Sequence, residues 1–158
     1  MASIPDASQD FVIANHLLEH CQNPIGALEN WLRVLHMDGV LFLSIPDKRY
    51  TFDYSRPITD LNHVVRDWRE GPAWSRKQHF EEWARLVERV SVEQIQRRAD
   101  TLAQSNASIH FHVWTAEAIR ELLGYCQRNL KHDFEVVLFV RNGIENIAIL
   151  KRLGRDSV

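Results

Sequence analysis

The sequence predicts an α/β fold: a partly parallel sheet that ends in an antiparallel hairpin and carries a helical insertion. Three observations predict it. Two apolar runs, 10–15 and 40–45, flank one amphipathic helix, the strand–helix–strand order of a parallel pair with a right-handed crossover. Two further runs, 134–140 and 144–150, are split by Asn142-Gly143, a strong hairpin signal. Between these halves, residues 53–107 show no strand pattern and are rich in Trp, Arg and Glu. A chain of 158 residues has material for about one domain with one core.

Each element has its own justification. Asp10-Phe11-Val12-Ile13-Ala14-Asn15 is a short apolar run with polar ends, which predicts a strand buried on both faces. His16, Glu19 and His20 follow directly, where ligands of open parallel sheets gather beyond the strands' carboxyl ends. Asn23 caps the next helix, Pro24 suits its first turn, and Ile25, Leu28, Trp31, Leu32 and Leu35 mark its apolar face. Gly39 offers a left-handed stop before the Val40–Ile45 strand, which Pro46 ends. In the insertion, helices are expected over 77–90 and, capped by Ser91 with Gln94, towards Ala103. Leu86, Val90, Ile95 and Leu102, with Trp68, Trp74 and Trp83, supply its core. Thr115 caps a last helix carrying Ile119, Leu122, Leu123 and Cys126 on one face.

Composition excludes several functions. With 45% hydrophobic and 25% charged residues the chain is an ordinary globular protein. A net charge of -2 argues against nucleic-acid binding, which needs a basic face. Arg97-Arg98 and Lys151-Arg152 read as solvated element ends. No apolar run approaches the roughly 18 residues that span a bilayer, and no signal pattern follows Met1. Cys21 and Cys126 form no CxxC pair, so no zinc ribbon or redox motif is written, and two isolated cysteines suit a reducing cytoplasm.

The element order and several motifs together resemble the second half of class I S-adenosylmethionine-dependent methyltransferases. That Rossmann-like sheet is parallel except for its final hairpin strand. Asp10-Phe11-Val12-Ile13 with Leu18-Glu19-His20 looks like the family's fourth-strand motif, and Gly39 stands in the turn before its fifth strand. The stretch 45–53, Arg56-Pro57 and 110–115 look like one subgroup with a helical insertion before the last helix. The resemblance covers essentially the whole chain. It implies a single truncated methyltransferase-like domain, 1–158, with its insertion at about 53–107. The chain has six glycines and no GxGxG loop, so the family's main cofactor grip is not in it. Only the fourth-strand contribution to S-adenosylmethionine binding carries over, at Ala14, Asn15, His16 and Leu17.

Methyl transfer from a sulfonium is an in-line displacement, so an enzyme positions the partners and removes a proton where the acceptor needs it. His16 and His20 are the candidate catalytic residues because histidine titrates near neutrality. For His20 the alternative is an internal hydrogen bond that orients the loop. His16-Leu17-Leu18-Glu19-His20 also spells the H-x-x-E-H pattern of inverted zinc proteases, but it follows a buried strand directly, which is the wrong context. No residue is assigned as a metal ligand on this ground. Some quinone methyltransferases look similar here, and by that likeness Glu19 and His20 would bind a divalent ion beside the acceptor. His110 and His112 alternate around Phe111 and, in extended chain, face one side, so with Trp114 they are candidates for an acceptor pocket or for packing beneath the insertion. Arg49 and Tyr50, with Arg56, lie beyond the second strand and suit an anionic or sugar-like acceptor; pairing of the arginines with Asp47 or Asp53 is the alternative.

Two functions follow. The chain is a methyltransferase-like protein acting on a small molecule or glycan once completed by an N-terminal half, or a non-catalytic oligomeric or interaction module. In the intact family the first strand lies beside the fourth. The 10–15 strand is therefore expected to present an open apolar edge and to pair with a second copy as a homodimer.

Overall fold

The computed structural model describes residues 4–154. Its four strands are β1 (Gln9–Asn15), β2 (Leu35–Pro46), β3 (Phe134–Asn142) and β4 (Glu145–Arg152). Five helices accompany them: α1 (Pro24–Val34), α2 (Leu61–Glu70), α3 (Ala73–Leu86), α4 (Ile95–Gln104) and α5 (Ala116–Asn129). The sheet order is β1-β2-β4-β3, with β1 parallel to β2 and β4 antiparallel to both of its neighbours. Three strands therefore point one way and the last returns between two of them. This is the expected α/β sheet, parallel strands closed by a hairpin.

Local chemistry explains the boundaries. Asn23 accepts from the Gly26 amide at 2.9 Å and Pro24 occupies the first turn, so α1 begins where the cap signal lies. Its end differs from expectation. The helix stops at Val34, Leu35 is already extended, and the left-handed residue is Asp38 (φ 64°), not Gly39. Gly39 is needed for space: a Cβ there would lie 2.9 Å from the His36 carbonyl oxygen and 3.1 Å from that of Asp10. The hairpin is also displaced by one residue. Asn142 pairs with Glu145, so Gly143 (φ 60°) and Ile144 form the two-residue turn, with glycine first as in a II′ turn.

The core lies between the sheet and α1, α2 and α5, with Leu28, Leu32, Leu41, Leu43, Ile45, Ile119 and Leu150 at its centre. Each such buried side chain contributes about 1.5–3 kcal/mol. A second cluster, Phe80, Ala99, Leu102, Ile109 and Phe111 with Trp83, holds α3 and α4 together. Trp68 packs instead on the main core, and Trp74 is exposed beneath Arg66, whose guanidinium lies 4.1 Å from the ring centre. β1 departs from the expected doubly buried strand. Only Ala14 is buried, while Phe11 and Ile13 are 64% and 58% exposed, because β1 is an edge strand and nothing among the described residues covers that face.

Candidate functional site

The carboxyl ends of β1 and β2 meet the segment 108–114, and most of the expected site residues gather there. β1 pairs with β2 as far as Asn15 opposite Ser44, and the His16 amide adds a bond to the Ser44 carbonyl at 2.9 Å. His16 then turns left-handed (φ 46°), which breaks the strand and leaves its ring at the surface. Its Nε2 lies 2.7 Å from Glu145 Oε2, and Ser44 Oγ donates to the same oxygen. Glu145 sits at the start of β4, beside the hairpin. Hydrogen bonds from Ser44 and then His16 hold its carboxyl below the usual range. Sequence reading did not find Glu145, since only the β2–β4 pairing brings it opposite His16.

Behind His16, Leu18–His20 forms a single 3-10 turn. Glu19 is 1% exposed, and neither carboxylate oxygen has a hydrogen-bond partner; His16 Nδ1 stands 3.6 Å from Oε1. Burial pushes its pKa up. His20 donates from Nδ1 to the Ile109 carbonyl at 2.8 Å, the internal bond that was the alternative reading for this residue. Burial, then the neighbouring His110, lowers its pKa. The His110 ring lies 4.7 Å from that of His20 and bonds Asp53 at 2.7 Å. Asp53 also takes the buried Arg56, at 2.8 Å, and Arg56 reaches Glu82 at 2.8 Å. Burial alone would raise the Asp53 pKa, but hydrogen bonds from His110 and Arg56 outweigh it and the net shift is downward. Glu19, His20 and His110 each offer one ligand atom, all within 4.8 Å of one another. His16 and His20 share no such group among the described residues, and they lie on no common helix, so the zinc-protease arrangement is not formed.

The remaining expected residues divide. Asn15 and Leu17 are exposed at the end of β1, whereas Ala14 is in the core and offers only backbone. Arg49 grips the buried Asp47 with two bonds, of 2.9 and 2.7 Å, and Tyr50 is exposed with its hydroxyl accepting from Arg141. His110 and His112 do not share one pocket. The amides of Phe111 and His112 both donate to the Glu19 carbonyl, so the segment is not a regular strand and the two rings part. His112 is fully buried. It bonds the Cys21 carbonyl through Nδ1 and faces Asp67 through Nε2, both at 3.0 Å, while Trp114 stacks on it from within the core.

Around His112 the insertion builds a second polar cluster, with His63 and Asp67 from α2 and His79 from α3. Burial, then the neighbouring histidines, depresses the pKa of His79 to about 3, and burial lowers that of His112. Asp67 stays below the usual carboxylate range, because hydrogen bonds with His112, His63 and Ser75 outweigh its burial.

The mixed sheet, with polar residues gathered beyond its parallel strands, is that of an α/β domain with a candidate site at the strands' carboxyl ends. Residues 2–131 match the family model described as a methyltransferase domain, and the chain belongs to that family. Similar solved structures include a SAM-dependent methyltransferase from Methanosarcina mazei, at 16% identity and TM-score 0.46, over 96% of this chain and 62% of that one. Another is a SAM-dependent methyltransferase from Thermotoga maritima, at 13% identity and TM-score 0.43, over 96% and 59%. The chain thus spans about three fifths of the length of these structures. No curated protein matches it. Among the described residues, no helix is long and apolar enough to cross a membrane.

Proposed function

We propose that the chain forms the acceptor side of a cytoplasmic S-adenosylmethionine-dependent methyltransferase acting on a small molecule or glycan. The observation that carries this reading is the His16–Glu145 pair at the carboxyl ends of the parallel strands of a methyltransferase domain. S-adenosylmethionine, when bound, supplies a methyl group on a sulfonium. Asn15, His16 and Leu17 are exposed and fit one wall of its site, with Ala14 contributing backbone alone. His16, with Nε2 held by Glu145, takes the acceptor's proton at Nδ1. Arg49 and Tyr50 provide the exposed polar rim, and His20 orients the loop through Ile109. Calorimetry of the chain with S-adenosylmethionine tests the reading. A Kd below about 1 mM, weakened about tenfold by Asn15→Ala, is expected; no binding at millimolar donor would overturn it.

The exposed β1 edge supports a second proposal, a homodimer in which β1 pairs with its counterpart and covers Phe11 and Ile13. Light scattering at micromolar concentration is expected to give a dimer, and Ile13→Lys a monomer. A wild-type monomer would refute it.

A further inference from the structure

The geometry points to a zinc-type metal centre in the insertion, with His63, Asp67, His79 and His112 as its four ligands. Each residue offers one atom, and these atoms all lie within 4.8 Å of one another. The separations suit one ion. His63 Nε2 stands 3.0 Å from His79 Nε2 and 3.3 Å from Asp67 Oδ2, and His112 Nε2 stands 3.0 Å from the same Oδ2. A tetrahedral zinc with bonds of about 2.0–2.1 Å sets its ligand atoms about 3.3 Å apart. Three imidazoles and one carboxylate are ligands that such an ion accepts.

Hydrogen-bond accounting supplies an independent reason. The Cys21 carbonyl can only accept, so His112 must present Nδ1–H to it, at 3.0 Å. In a neutral ring Nε2 is then a lone pair, and it points at the Asp67 carboxylate, another acceptor, deep inside the protein. The Nε2 atoms of His63 and His79 also face each other at 3.0 Å, close enough to share one ion. His112 Nε2 and Asp67 Oδ2 are thus two acceptors turned on each other, and a cation held between them and the rings of His63 and His79 would satisfy both.

The outer partners are those of a built site. His112 is fixed by a backbone carbonyl, one of the usual partners of a ligating histidine's second nitrogen. Asp67 Oδ1 accepts from Ser75 Oγ at 2.8 Å, leaving Oδ2 for the ion. Trp114 stacks against His112 with planes 11° apart. A cavity of about 180 Å³ touches His63 and His79 and is lined by Thr59, Asp60 and Glu82, so an ion has a polar way in. With four protein ligands the centre is closed, and its work is to clamp α2 and α3 to the 108–114 segment rather than to activate water.

The test uses the untagged full chain, stripped with chelator and titrated with Co²⁺ and then Zn²⁺. We expect one equivalent of Co²⁺ with the intense visible bands of a four-coordinate ion, bleached by zinc, and a zinc-dependent rise in Tm. His63→Asn and Asp67→Asn should each weaken binding at least about 100-fold, and Ser75→Ala about 10–100-fold, the usual effect of losing an outer partner. Glu19→Gln should leave the stoichiometry and bands unchanged. No Co²⁺ binding by the wild type at about 100 μM overturns the proposal. So do bands that survive His63→Asn but vanish in Glu19→Gln, which would put the ion at the other histidine cluster. Should Asp67→Asn fail to fold, the wild-type and His63→Asn titrations decide the question, because His63 is partly exposed.

Discussion

Glu19 carries a carboxylate that is 1% exposed and has no hydrogen-bond partner on either oxygen, with His16 Nδ1 3.6 Å away as its nearest charge partner, so the fold holds a buried polar group that its neighbours satisfy only in part. Such a group costs about 1–3 kcal/mol, and more when charged. Methionine has similar length and no polar atoms to satisfy, so Glu19→Met is expected to stabilise the protein by about 1–3 kcal/mol near pH 8. For a chain of this size that is a rise in Tm of about 2–4 °C per kcal/mol. The gain depends on pH in a definite direction. Burial raises the folded-state pKa, so the folded state keeps its proton where the unfolded chain has lost it. Wild-type stability therefore falls as pH rises from the ordinary glutamate range, about 4.3, through the raised folded value. The methionine variant lacks that slope, and the difference should shrink towards about pH 4. Urea unfolding of both proteins across this range, followed by circular dichroism, measures it. A variant no more stable than wild type at pH 8 would refute the reasoning, because Glu19 would then have a partner that offsets its burial.

Two further predictions concern the framework around this residue. Gly39→Ala should destabilise by about 1–3 kcal/mol in urea unfolding, since its Cβ meets two backbone oxygens that cannot swing aside; an unchanged midpoint would show that β1 and the start of β2 shift freely. Asp53→Asn leaves buried Arg56 with Glu82 as its remaining carboxylate, beside the Phe111 carbonyl, and should cost towards the lower end of the roughly 3–5 kcal/mol for a broken buried pair. Because the Asp53 pKa is depressed in the fold, its contribution is complete above about pH 3.9 and is lost as pH falls through the folded value. The variant should therefore show a flatter acid limb, and an acid limb as steep as that of wild type would count against this assignment.

Much of the fold was legible because its signals are local. The Asn23 cap, the Thr115 cap accepting from the Ala118 amide, and the alternating run of β4 each lie within a few residues of the structure they specify. The gathering of polar residues at the end of β1 was legible for the same reason, since they follow directly on an apolar run. What escaped depends on distant pairings. Glu145 reaches His16 across 129 residues of chain, and His112 reaches Asp67 across 45. Nothing in the neighbourhood of either partner announces the other. Gly39 was read for its conformational freedom, yet its role is close approach of backbone. That distinction depends on Asp38 taking the left-handed turn, which an aspartate does with little strain.

The segment 108–114 explains why the two histidine clusters should be considered together. Its Phe111 and His112 amides bond the Glu19 carbonyl, and its Ile109 carbonyl takes His20. The Val113 amide bonds Thr59 Oγ1 at the entrance of α2, and Trp114 pairs with Asp47 at the end of β2. One irregular stretch thus joins the loop after β1, the insertion and the sheet. Its backbone groups are spent on these partners, so it cannot move without breaking several bonds at once. An ion on His112 would fix the middle of this stretch, and through the shared Glu19 carbonyl it would also fix the turn that carries Glu19 and His20. Filling the insertion centre is therefore a way to set the geometry of the surface where His16 and Glu145 meet, although no metal ligand lies on that surface pair.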